Sequence, residues 1–390
     1  MKIAFALSAA LSLMLVSSPA APGEEQAVER RGRGRELGIT IGTLPTGRWN
    51  AITDVAGVKV GHVTLNQGQG KLVPGQGPIR TGVTAVLPRA DVWREKVPAG
   101  SFVLNGNGEM TGLVWIEESG YLETPIALTN TLNVGRVYDG LISYMLKRYP
   151  EIGVTDVTIN PVVAECDDSE LNDIQGRHVS DAATVRALEN ARSGPVEEGA
   201  VGAGTGMIAF GFKAGIGTSS RVIPPGDGGY TVGVLVNANM ESREYLTIKA
   251  APVGRELPGP AQRSGDGSII IIVATDAPLS ARQLKRLARR APLGLARTGA
   301  LSRHSSGDLI LAFSTGNTIP HQPKDRASAL IELADTRLNP LFQAVEEATE
   351  EAVLNALTAA PTVVGRDGRV AEGLPLEKVK EILRRYNQLR

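Results

Sequence analysis

A glycine, Gly267, stands directly before Ser268, and Ser268 opens a run of four isoleucines and a valine over residues 269–273. Residue types in that order are equipped for self-cleavage. Glycine lacks a Cβ, so it can adopt the strained backbone that attack on its own carbonyl requires. A cut there would leave Ser268 with both a hydroxyl nucleophile and a free α-amine. An unperturbed α-amine has a pKa of about 7.7–8.0, so near neutrality it can take the hydroxyl proton. The plainer reading of residues 265–268 is an ordinary strand start, because glycine and serine are common turn residues. The surroundings must decide between the two.

Other residues could complete such a site. Asn239 follows a β-type run and could present its amide to a developing oxyanion. Glu165 follows Val162, Val163 and Ala164, where a carboxylate could pair with a substrate ammonium. Ser306 and Asp308 share a small turn at the head of the strand expected over residues 309–313. Each alone is more often a cap, a turn residue or a surface carboxylate. The glycine-rich stretch 199–206 lacks the lysine of a Walker loop and the spacing of a dinucleotide fingerprint, so it reads as a tight turn. His62, His178, His304 and His321 are scattered, and Glu165, Asp167 and Asp168 lack the alternating oxygen ligands of a cation loop. No metal or other cofactor is expected. No Gly-x-Ser-x-Gly elbow occurs around Ser268, so its base must come from elsewhere, and its own amine would suffice.

The elements that must position these groups can be read from periodicity. Strands are expected over residues 58–63, 82–87, 101–104, 154–159, 230–236, 245–248, 268–273 and 309–313. Helices are expected over 135–149, 181–191 with Asp181 as cap, 280–290, 341–357 and 376–385. Lys285, Arg286, Arg289 and Arg290 read as one solvated helix face. The Pro/Gly-rich segment 252–267 reads as an exposed, mobile connection before Ser268. Strands dominate the first half, which fits two sheets covered by helices better than a plain βαβ array.

At 390 residues and 42% hydrophobic content the chain can bury a sizeable core, and length alone suggests two or three domains. Lys+Arg and Asp+Glu number 41 each, so no net field favours nucleic acid or an acidic membrane. Residues 1–20 read as an export signal, with Lys2 as the positive region, and residues 21–36 as a flexible leader. The mature protein is therefore expected in the periplasm or outside the cell. Cys166 is the single cysteine, so no disulfide can form within the chain.

The constellation resembles the self-processing L-aminopeptidase/D-esterase family, which includes the β-peptidyl aminopeptidases. The matching segments run in order from Thr81-Gly82-Val83-Thr84-Ala85-Val86 through Thr129-Asn130-Thr131 with Val134-Gly135 to Pro161-Val162-Val163-Ala164-Glu165. They continue with Leu171-Asn172-Asp173, Gly202-Ala203-Gly204-Thr205-Gly206, and Gly265-Asp266-Gly267-Ser268 leading to Ala274-Thr275-Asp276-Ala277-Pro278. Gly294-Leu295-Ala296-Arg297-Thr298-Gly299 and Phe313-Ser314-Thr315-Gly316-Asn317 complete the series, which spans residues 37–385.

The resemblance implies a four-layer αββα sandwich, similar to N-terminal-nucleophile hydrolases. It implies one catalytic domain cut into an α chain (37–267) and a β chain (268–390), commonly in homo-oligomers. It implies release of an N-terminal residue from a small peptide, amide or ester. Ser268 matches the nucleophile and new N-terminus, Asn239 the oxyanion asparagine, and Glu165 the reader of the substrate amine. Ser306 and Asp308 match positions that orient the nucleophile. Asp167 departs from the pattern: many members carry an aromatic residue there, often a tyrosine assigned to the oxyanion region. An ionised aspartate cannot take that role, and it could instead bind an ammonium. Two other functions remain open at this level: a self-processing acyltransferase of the acetyl-ornithine/glutamate type, and a non-catalytic periplasmic protein.

Overall fold

The computed structural model describes residues 31–257 and 267–389. The expected export signal, most of the expected leader, and residues 258–266 of the connection before Ser268 lie outside the described residues.

The isoleucine run forms the strand Ser268–Thr275, buried along its whole length. Ile269, Ile271 and Val273 enter one apolar cluster, while Ile270, Ile272 and Ala274 enter another. A strand covered on both faces needs apolar residues at every position, which is why this run is continuous rather than alternating. It is central to a seven-stranded sheet, between Thr231–Asn239 on one side and Gly307–Ser314 on the other. The first of these pairings is antiparallel and the second parallel. Ile216–Val222 and Glu95–Gly106 flank this central trio.

A second sheet has four strands in the order Lys59–Gln67, Ile79–Leu87, Ile126–Asn130 and Val162–Cys166. The two sheets meet through a shared cluster. Val60, Val86, Leu128, Ala164 and Cys166 come from the four-stranded sheet, and Leu235, Ile270, Ile272, Leu309 and Leu311 from the larger one. The outer face of the smaller sheet is covered by the helices Val134–Arg148 and Asp181–Glu189 through Val137, Leu141, Met145, Ala183 and Ala187. The outer face of the larger one is covered by Ala281–Ala288, Ala291–Arg297, Asn339–Ala359 and Leu376–Arg385. The result is a helix–sheet–sheet–helix sandwich, the αββα architecture expected from the sequence. Residues from Arg31 onward form one compact unit.

Several local expectations need correction. Residues 154–159 form turns rather than a strand, with Val154 and Val157 largely exposed. Asp156 bonds the N–H of Val157 and the ring of His321, which closes a loop where a strand would need a neighbouring edge. Residues 245–248 are likewise no strand: Arg243–Tyr245 is a 3₁₀ turn, and the positive φ of Lys249 and Ala250 reverses the chain. Ser180, not Asp181, caps the helix Asp181–Glu189 by accepting the Ala183 N–H. Val253–Glu256 forms a helical turn with Val253 and Gly254 buried, so that part of the connection is packed. The described end of the leader is also anchored. Arg33 pairs with Glu198 at 2.7 Å, the Gly34 N–H donates to Asn355, and Arg35 pairs with Glu351 at 2.8 Å. Its basic residues meet buried carboxylates, a complementarity that charge composition alone does not show. The helix-face cluster is similarly engaged, with Lys285 on Glu117, Arg286 on Asp335 and Arg290 over the Phe342 ring.

Candidate active site

Three neighbouring strands of the larger sheet bring their ends together at Ser268. Asn239 is its direct register partner across the antiparallel pair, and Gly307 its partner across the parallel pair. Ser268 is 8% exposed, and its Oγ accepts the Gly307 N–H at 3.3 Å. Gly267 is pressed against the adjoining strand end. A Cβ there would lie 2.0 Å from the Asn239 carbonyl oxygen and 2.4 Å from the Met240 Cα, so only glycine fits this backbone path.

The Asn239 amide is fixed at both ends. Its Oδ1 accepts the Ile208 N–H at 2.9 Å, and its Nδ2 donates to the Asp167 carbonyl at 2.8 Å. A side-chain amide nitrogen carries two hydrogens, so one remains for an oxyanion. On the other side of Ser268, the Ser306 hydroxyl donates to Asp308 Oδ1 at 2.7 Å, and Asn105 Nδ2 donates to Asp308 Oδ2 at 3.2 Å. Both residues of the Ser306–Asp308 pair are buried. Burial pushes the Asp308 carboxyl above the usual carboxylate range, with the Ser306 bond acting against it.

Glu165 reaches this region from the facing sheet. It is buried, its Oε1 accepts the Glu109 N–H at 3.0 Å, and its Oε2 accepts from the Thr131 hydroxyl. Burial raises its pKa, and the charges of Asp167 and Glu109 act in the same direction. Residue 108 lies between this carboxylate and the strand partner of Ser268: a Cβ there would sit 2.9 Å from Glu165 Oε1 and 3.5 Å from the Gly307 Cα. Asn107 ties the same segment to the Ser306 turn through its N–H to the Ser306 carbonyl and its amide to the Ser305 carbonyl. Asp167 is exposed, and its Oδ1 accepts the Ser169 N–H at 2.7 Å. Its carbonyl, rather than its carboxylate, makes the contact to Asn239.

Several residues that make these contacts carry no mark in the sequence. Thr131 was visible within the Thr129-Asn130-Thr131 segment, though nothing marked it as a ligand of Glu165. The N–H groups of Glu109 and Gly307 carry no side-chain signal. Among the described residues, no group of three or more His, Cys, Asp or Glu is placed to hold a metal ion. The arrangement offers a serine nucleophile, an amide donor, a hydroxyl–carboxylate pair and a carboxylate that can read a cation.

A serine at the head of a central strand in an αββα sandwich, with donors on either flank, defines a hydrolase of the N-terminal-nucleophile type. The model of peptidase family S58 matches residues 50–371, and the chain belongs to that family. It is 45% identical to β-peptidyl aminopeptidase BapA of Sphingosinicella microcystinivorans, over 92% of this chain and 93% of that one. Among solved structures it resembles a β-aminopeptidase of Burkholderia sp., with 46% identity, a TM-score of 0.85, and 91% and 99% of the two chains covered. It also resembles the L-aminopeptidase D-Ala-esterase/amidase of Ochrobactrum anthropi, described as a prototype of the serine aminopeptidases and a variant of the Ntn hydrolase fold. Identity there is 42%, the TM-score 0.86, and coverage 92% and 99%. The protein is thus a serine aminopeptidase. The acyltransferase and non-catalytic readings gain no support from these relatives.

Proposed function

We propose that the chain cuts itself between Gly267 and Ser268 and then releases N-terminal residues, β-amino acids among them, from small peptides, amides or esters. The observation that carries this reading is the placement of Ser268 opposite Asn239 and Gly307, with Gly267 held where only glycine fits. The names of the relatives support the inclusion of β-amino acids.

In the first stage Ser268 Oγ attacks the Gly267 carbonyl. The hydroxyl proton leaves, the Gly267–Ser268 amide bond breaks, and the nitrogen gains a proton as it becomes an amine. Water then hydrolyses the ester to a Gly267 carboxylate. In the second stage the Ser268 amine takes the hydroxyl proton, and Oγ attacks the carbonyl of a substrate's first residue. Asn239 and the Gly307 N–H donate toward the region where negative charge develops. The Ser306–Asp308 pair orients the nucleophile from its other side. Glu165 holds the substrate's free ammonium, which fixes where along a peptide the cut falls. The amine leaving group departs with a proton, and water cleaves the acyl-enzyme.

The same reading includes export by the segment over residues 1–20, and assembly of the αβ units into a homo-oligomer, as the resemblance implies. Mass spectrometry of the mature protein tests the central claim. One chain should end at Gly267 and another begin at Ser268, and Ser268→Ala should give a single inactive chain. A full-length chain that is active would refute the reading. Parallel assays with β- and α-aminoacyl amides then test the substrate range, and failure to turn over any β-aminoacyl amide would remove β-amino acids from it.

A further inference from the structure

Lys213 has no exposed surface, yet no carboxylate pairs with it directly among the described residues. Its ammonium instead donates to three main-chain carbonyls: Gly204 at 2.9 Å, Met207 at 2.8 Å and Ala214 at 2.6 Å. An ammonium has three hydrogens and no acceptor, so three carbonyls use it completely. Gly204 belongs to the glycine-rich stretch 199–206, read from the sequence as a tight turn, and Met207 follows directly after it. That turn has a function in the fold, because its two ends are bound to different sheets. At its start the Gly202 N–H donates to the Thr64 hydroxyl and the Ala203 N–H to the Thr84 hydroxyl, both on the four-stranded sheet. At its end Ile208, the residue after Met207, donates its N–H to Asn239 Oδ1 beside the nucleophile on the larger sheet.

We propose that Lys213 is a positioning residue for the oxyanion site. By gathering the carbonyls of residues 204, 207 and 214, it holds the Ile208 N–H against Asn239 Oδ1 and so aims the Asn239 N–H toward the substrate carbonyl. The amide oxygen of Asn239 needs that anchor. Without it, the amide is held only through Nδ2 on the Asp167 carbonyl and can turn its donor away from Ser268. The inference deepens the proposed function and rests on its assignment of Asn239 to the oxyanion.

Deprotonation would undo the arrangement. A neutral amine has two hydrogens and turns a lone pair toward the third carbonyl. Burial pushes Lys213 down to about 7, with the Asp168 carboxylate acting the other way. The bonds to the turn therefore weaken as pH rises above neutrality.

The test replaces Lys213 by methionine in the full chain. Turnover is measured per active site, counted by titration with a serine-acylating reagent, so that misfolded or uncut molecules drop out. Lys213→Met should lower kcat per titrated site by about tenfold or more with KM nearly unchanged, since Glu165 binds the amine from the other sheet. In an Asn239→Ala background the same change should cost nothing further, because its effect passes through Asn239. A Lys213→Met enzyme with lower thermal stability but full kcat per titrated site would overturn the proposal. So would a loss of kcat that persists undiminished in the Asn239→Ala background. If Asn239→Ala itself leaves kcat intact, it is the oxyanion assignment that fails, which is a different result. Lys213→Gln, which keeps two donors, serves if the methionine variant does not fold. If neither folds, the unmodified protein decides. The Ile208 amide, corrected for intrinsic rate, should be protected from hydrogen exchange at about pH 6 as strongly as the amides of the central strands, and an Ile208 amide that exchanges freely there would overturn the proposal.

Discussion

At Gly267 the chemistry and the packing make the same demand. The absent Cβ that permits a strained carbonyl would also lie 2.0 Å from the Asn239 carbonyl oxygen, closer than any side chain could sit. Gly267→Ala must therefore push the Gly267–Ser268 bond, where we propose the cut, away from Asn239. We expect an uncut, inactive chain by intact-mass measurement, with the folded core retained because Ile269 onward is anchored on both faces. Normal cutting in that variant would separate the cleavage from this close approach. Glu165 supports a second prediction. Its carboxyl is raised by burial, and the ionised form is the one that binds an ammonium. As pH falls through that raised pKa, kcat/KM should fall, and the acid limb should lie above the ordinary glutamate value of about 4.3. A charge-assisted contact contributes roughly 1.5–3 kcal/mol, so Glu165→Gln should cost about ten- to a hundredfold in kcat/KM and remove the Glu165 contribution to the acid limb, leaving only the single-proton limb of the Ser268 amine. N-acetylated substrates should be poor for the unmodified enzyme. Equal use of blocked and free amines would count against amine recognition.

Between the residues and the fold stand elements whose legibility in the sequence varied for physical reasons. The buried strand Ser268–Thr275 and the amphipathic helix Leu376–Arg385 were readable because burial imposes a pattern over many residues, whereas Asn339–Ala359, expected to be amphipathic, is a helix buried on every side from Glu347 to Thr358. The apolar, β-branched content of residues 154–159 suggested a strand, but pairing depends on a free neighbouring edge that composition does not encode. The candidate site was legible where a side chain offers the proposed chemistry, as at Ser268, Asn239 and Glu165. It was silent where a main-chain N–H makes the contact, as at Gly307, Glu109 and Ile208. Close packing between elements was equally hidden. Gly217, in the strand Ile216–Val222, faces the helix Asn339–Ala359, where a Cβ would fall 1.9 Å from the Ala352 carbonyl oxygen. Since that atom is backbone, Gly217→Ala must lift the helix from the sheet. Overpacking of this kind costs typically about 1–3 kcal/mol, so denaturant unfolding should shift to a lower midpoint without a change in slope. An unchanged midpoint would mean that the helix can move off the sheet freely.

For the molecule as a whole, the buried titratable groups set how stability answers to pH. Burial pushes Asp168 up to about 7, with the Asp167 charge adding to it and bonds from Thr81, Asn172 and Asn130 opposing it. Between about pH 7 and the ordinary aspartate value of about 3.9, the folded chain binds this proton while the unfolded chain does not. Acidification through that window therefore stabilises the fold. Lys213 works on the alkaline side. Its folded pKa of about 7 lies below the ordinary lysine value of about 10.4, so in that interval the unfolded chain binds the extra proton and stability rises with pH. Burial also raises Glu198 to about 7, which adds to the acid side, and lowers His62 to about 4, which opposes it between about pH 6.5 and about pH 4, so the groups together should give a minimum in thermal stability near neutrality. Glu347 limits the acid side. Burial pushes it up, but bonds from Gln343, the Thr43 and Leu44 N–H groups and Arg221 outweigh that and hold it below the usual range. Its contribution is present above about pH 4.3 and is lost as pH falls further. Thermal unfolding of the protein from about pH 5 to about pH 9 should show the minimum, and Asp168→Asn should make its acid side shallower while leaving the alkaline rise. A wild-type profile that falls steadily on acidification, matched by the variant, would show that Asp168 is not titrating in this way. The alkaline limb also ties stability to turnover. As Lys213 sheds its proton the fold should gain stability while the Ile208 anchor on Asn239 loosens. The Ser268 amine becomes an active base over the same range and raises kcat, so the lysine's share is read as the ratio of unmodified to Lys213→Met kcat per titrated site, which should shrink from about pH 6 to about pH 9. A constant ratio would break the link between titration of the buried lysine and the oxyanion site.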